Sequence, residues 1–138
     1  MNTLRLLACA ALIAGAGAGT GMAAGNLTGS ATLIKIDMTA DKKFSTTSIQ
    51  METGKSYNLE ITKVAGDEWQ FRAPDLFSNS YIFQVAIDGK EIKTRHIDYL
   101  EFDNIGTVSI TLVPNRIGVF KYWVAGQEAT MTGTITVK

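Results

Sequence analysis

The sequence is short of the residues that carry redox and metal chemistry: it holds one cysteine, Cys9, and one histidine, His96. Neither sign of charge dominates, with 13 Lys and Arg against 13 Asp and Glu in 138 residues. That balance gives no general attraction to nucleic acid or to an anionic bilayer. No stripe of interleaved basic and aromatic residues suggests a nucleic-acid surface either. Long apolar runs are absent. The one extended run, residues 6–18, is shorter than the roughly 20 residues a membrane-spanning helix needs. Catalytic groups are as scarce. There is no Gly-x-Ser-x-Gly elbow and only His96 to act as a base, so no enzyme is expected. "GTGMAAG" imitates a glycine-rich phosphate loop, but it follows no strand pattern.

The apolar run instead reads as a leader. Arg5 precedes it, small residues follow it, and Gly21 and Ala23 stand at the −3 and −1 positions of a cleavage site. This is the pattern of a secretory signal peptide over residues 1–24, cut after Ala23 or Ala24. It leaves one domain over residues 25–138 and sends it to a bacterial periplasm or outside the cell. Cys9 follows too few apolar residues to form a lipoprotein box, so no lipid anchor is expected. The mature chain would then have no thiol, no disulfide and one imidazole.

What the sequence has in quantity is alternation. "TLIKIDM" puts Ile34, Ile36 and Met38 on one face, and "YNLEIT" does the same with Tyr57, Leu59 and Ile61. "TVSITLV" repeats the pattern with Val108, Ile110 and Leu112, and "MTGTITV" with Met131, Gly133, Ile135 and Val137. Period two with many β-branched residues is the mark of half-buried strands. "METGKS" and "DNIG" read as connecting loops, and Asp88-Gly89 as a tight type I′ hairpin turn. The one helical piece is a turn opened by Pro74 and Asp75. The expected fold is all-β: an antiparallel sandwich of about seven to eight strands.

Three stretches carry a family resemblance over residues 46–137: "TTSIQMETGKSYNLEIT", "DEWQFRAPDLF" and, above all, "GVFKYWVAGQEATMTGTITV". Together they resemble the cupredoxins, Greek-key sandwiches that usually carry one copper ion. The resemblance implies a site at matching positions. Val124 falls where the cysteine ligand would stand, following Phe120 and Tyr122 on the core face. Gln127 falls at or beside one histidine position, Trp69 at or near the other, and Met131 at the axial methionine. Blue copper needs a thiolate and two imidazoles, so no type 1 copper is expected. The final hairpin, with its "EAT" segment, is also similar to copper-poor cupredoxin-like proteins of bacterial ferrous-iron uptake. That similarity implies an accessory role in metal handling, in iron uptake or copper homeostasis, beside a membrane metal transporter or a periplasmic redox partner.

Met131 and Trp69 offer a thioether and an indole face to soft Cu(I). Asp67, Glu68 and Glu128, with the neutral oxygen of Gln127, are expected to gather at the same end and suit a harder ion such as iron. Carboxylates at strand ends are also ordinary solvated turn residues, and Met131 with Trp69 serves equally as core filling. His96 lies with Lys90, Lys93 and Arg95 in a basic cluster that suits an acidic partner. Trp123 points away from the core and is a candidate anchor for a protein. Two further readings stay open beside metal handling: a metal-free interaction module, and electron transfer through an atypical centre.

Overall fold

The computed structural model describes residues 29–138, so the expected leader, with Cys9, Gly21 and Ala23, lies outside the described residues. Ten strands and one short helix follow in the order β1 (Thr32–Met38), β2 (Ser48–Met51), β3 (Tyr57–Lys63), β4 (Trp69–Arg72), α1 (Pro74–Ser78), β5 (Ser80–Ile87), β6 (Lys90–Ile92), β7 (Leu100–Phe102), β8 (Gly106–Pro114), β9 (Gly118–Val124) and β10 (Thr132–Val137). They form two five-stranded sheets, β1-β3-β8-β5-β6 and β2-β10-β9-β4-β7. The all-β sandwich is as expected, with more strands than the periodicity marks out. The additions include β6 and β7, three residues each and too short for alternation to register. The sheets are also mixed. β1 runs parallel to β3 and β2 parallel to β10, because the chain crosses between the sheets instead of turning back at once.

The alternating faces meet in the middle. Ile36 and Met38 of β1, Leu59 and Ile61 of β3 and Ile110 and Leu112 of β8 face Phe71, Tyr122, Val124 and Ile135 of the other sheet in one buried cluster. Each such aliphatic side chain removed from water contributes about 1.5–3 kcal/mol. At its centre the rings of Phe44, Phe71 and Tyr122 lie 5.0–6.0 Å apart between centroids. The Tyr122 ring covers Gly133, its partner across the β9–β10 hairpin, where a Cβ would collide with the phenol. The Tyr122 hydroxyl donates to the Thr46 carbonyl and ties β9 to the segment leading into β2.

The predicted turns are present. Asp88 and Gly89 both have positive φ, at 49° and 73°, as a type I′ turn requires. α1 starts with Pro74 in its first turn and buries Leu76 and Phe77.

Candidate functional site

The loop joining β9 to β10 is closed by its own backbone. The Val124 carbonyl accepts from Gln127 N–H at 3.0 Å, and the Gln127 carbonyl accepts from Thr130 and Met131 N–H at 3.0 and 2.8 Å. Val124 N–H then donates to the Met131 carbonyl at 3.1 Å. Val124 and Met131 are both 0% exposed, and Phe71, opposite Val124 in β4, is equally buried. Trp69 is 6% exposed, and its indole lies against Gly66, a residue at φ 94° with no room for a Cβ. Three of the four positions that the resemblance assigns to copper ligands are therefore closed apolar core. The fourth, Gln127, is half-buried.

The residues do not fit a type 1 copper ion. No cysteine lies among the described residues, and His96 is exposed on another loop with Nε2 held 2.8 Å from Asp98 Oδ1. Met131 belongs to the core cluster that also holds Trp69.

The expected gathering of Asp67, Glu68 and Glu128 is corrected by the geometry. Glu128 turns back on its own loop, where Oε1 accepts from Gly126 N–H at 3.1 Å. The backbone N–H groups of Glu128 itself and of Gly126, with Arg72 nearby, hold its carboxyl below the usual range. Glu68 meets Glu101 and Asp103 instead, with one ligand oxygen from each within 4.8 Å of the others. The hydrogen bond and charge of Glu101 hold the Glu68 carboxyl above the usual range, with smaller contributions from burial and from Asp103. Asp67 is exposed outside this group.

Beneath the trio lies Lys63, 1% exposed, whose ammonium donates to the carbonyls of Phe102 at 2.9 Å and Asp103 at 3.1 Å. It also stands 5.9 Å from the centre of the Trp69 ring. Lys63 and the two other carboxylates were missed in the sequence. For Lys63 the signal existed, since the inward series Tyr57, Leu59, Ile61 continues to residue 63. Glu101 and Asp103 carry no such mark, because the β4–β7 pairing that brings them to Glu68 joins segments about thirty residues apart.

The basic cluster is also redistributed. Lys93 pairs with Glu91 at 3.0 Å and donates to Gln84 at 2.7 Å. His96 pairs with Asp98. Arg95 and Lys90 remain exposed, without an ion pair among the described residues. Trp123 is half-buried on the outer face of its sheet, between Arg72 of β4 and Thr132 of β10. The Arg72 guanidinium lies 4.7 Å from the Tyr99 ring centre and donates to Gln70 at 2.8 Å.

No protein-family model matches the sequence, and no curated protein sequence does. Solved structures do match in shape. A multi-copper oxidase from Pediococcus acidilactici superposes with a TM-score of 0.58 at 12% identity, over 78% of this chain and 26% of that one. A multicopper oxidase from Campylobacter jejuni, described as a metallo-oxidase, gives 0.50 at 13% identity, over 68% of this chain and 21% of that one. Auracyanin A, a blue copper protein from Chloroflexus aurantiacus, gives 0.51 at 12% identity, over 78% of this chain and 98% of that one. The chain thus spans about a fifth to a quarter of these two oxidases and nearly the whole of auracyanin. At these identities the likeness is one of fold, and the fold is cupredoxin-like.

Proposed function

We propose that this protein is an exported cupredoxin-fold accessory module that works by docking to another protein without a copper ion in its loop end. The observation that supports the reading is the chemistry of that end. Val124, Met131 and Trp69, at positions matching copper ligands, are packed as core. A thioether in that environment contributes by filling volume, and replacing it with a similar apolar group costs little. What such a fold then offers to the outside is its surface. Export rests on the leader pattern in residues 1–24.

The experiment is purification of the tagged protein from its own periplasm, with cross-linking, in the presence and absence of a chelator. A stoichiometric partner retained in both conditions is the expected result. Metal present in stoichiometric amount, with the partner lost on chelation, overturns the reading.

Metal handling is the second reading. The Glu68, Glu101 and Asp103 trio favours it, since three crowded carboxylates suit a hard cation better than Cu(I). So does the similarity of the final hairpin to iron-uptake proteins. Titration with Fe(II) and Mn(II) tests it: unchanged melting temperature and unchanged Glu68 resonances would remove the trio from consideration.

A further inference from the structure

β9 is the central strand of its sheet, and its outward positions form an unpartnered row. Phe120, Tyr122 and Val124 point into the core, so Val119, Lys121 and Trp123 point out, with Ile117 continuing the series in the preceding turn. Ile117 is 68% exposed and Val119 67% exposed, two of the three most exposed large apolar side chains among the described residues. Arg116 and Lys121 flank them, both exposed and neither in an ion pair among the described residues. Beside this row Thr136, Thr134 and Thr132 of β10 stand level with Val119, Lys121 and Trp123. The carboxylates near the Arg72 end are already engaged, Glu101 by Gln70 and Glu128 by Gly126 N–H.

We propose that this face, centred on Val119, Lys121 and Trp123, docks an acidic protein partner. The inference rests on the docking reading above and specifies where and with what chemistry. Ile117, Val119 and Trp123 expose apolar surface on either side of Lys121. Unpaired cations in the row favour carboxylates opposite them and steer their approach. Trp123, level with Arg72 on one neighbouring strand and Thr132 on the other, supplies a rigid anchor of the kind found at interface centres. A bilayer is the poorer fit. Two unpaired cations hold little anionic surface, and the row of hydroxyls finds better-defined partners on a folded protein.

The test uses the purified protein and a peptide of alternating Glu and Leu as the probe, followed by amide NMR. Shifts confined to residues 117–123 and 132–136, weakened by salt and at least about 10-fold weaker in Lys121→Glu, are expected. Val119→Glu should weaken binding similarly, and Lys121→Arg should preserve it. Both positions are exposed, so melting curves should show the variants folded; if Val119→Glu is not, Lys121→Glu decides alone. Shifts elsewhere, or equal affinity in Lys121→Glu, overturn the proposal. Retention of the protein on phosphatidylglycerol vesicles, lost in Val119→Glu, overturns it in favour of a membrane face.

A photo-reactive residue at Val119, and another at Lys35 on the opposite sheet, separates the two readings in cells. A cross-link from Lys35 alone leaves the docking function intact and rejects this face. No cross-link from either, with a partner still retained on purification, rejects this face alone; no partner retained rejects both.

Discussion

The N–H of Val124 donates to the carbonyl of Met131 across the mouth of the β9–β10 loop, and neither side chain reaches solvent. The bond sets the two residues opposite each other at the base of the loop. Both side chains belong to the buried core cluster. The loop is closed by its own backbone hydrogen bonds, and Met131 fills core volume beneath it.

Met131→Leu should therefore cost less than about 1.5 kcal/mol, and Met131→Ala about 2–5 kcal/mol, because only the second leaves a cavity. Denaturant melts check both. A Met131→Leu variant with unchanged stability but a lost Cu(I)-dependent melting shift would instead make the sulfur a ligand.

Lys63→Met should lower stability by about 1–3 kcal/mol, since the carbonyls of Phe102 and Asp103 lose their donor. The same change should move the Glu68 titration further upward, because the Lys63 charge now draws it down. Thermal melts and carboxyl NMR read the two effects independently. Loss of stability with an unmoved Glu68 would separate the ammonium from the trio.

Glu101→Gln should bring the Glu68 carboxyl down towards its ordinary range, removing a like charge and a shared hydrogen bond. A carboxyl raised in the folded state keeps its proton longer there, so stability falls as pH rises from the ordinary carboxylate range to the raised value. Above that value the penalty stays. In Glu101→Gln this acid-side decline should flatten, as seen in melting temperature against pH.

Alkali reports on Tyr122. Burial pushes its phenol up to about 12 from an ordinary value of 10.0. The folded state then holds a proton that the unfolded chain has given up, so the Tyr122 contribution to stability is constant below about 10 and declines between about 10 and 12. Tyr122→Phe should remove that part of the decline. Near neutrality it should cost about 1 kcal/mol, through the donor lost to the Thr46 carbonyl. An unchanged alkaline profile would show that another group sets it.

Gly133→Ala should be among the most damaging single methyl additions. The new Cβ would strike the Tyr122 ring, which Phe44, Phe71 and the Thr46 bond keep in place. Gly133→Ala in a Tyr122→Ala background should be far better tolerated. Equal losses in both backgrounds would locate the strain elsewhere.

The alternation of apolar and polar residues determined the strands, and through them the sandwich, because a half-buried strand needs a period of two. Asp88-Gly89 determined its hairpin, since that pair accepts positive φ at both positions. The absence of cysteine after Cys9 determined that no thiolate stands at position 124. Which charges meet was decided only in three dimensions. Glu68 faces Glu101 and Asp103, and not Glu128, because β4 pairs with β7 on one side while the β9–β10 loop folds onto itself on the other. Composition shows a chain with balanced charge. The fold sorts that balance in space, with carboxylates crowded at one end over a buried ammonium, and Lys121 on β9 and Arg116 just before it outside any ion pair among the described residues. Local periodicity fixes which side of a strand a residue takes, and only the strand order fixes what it finds there.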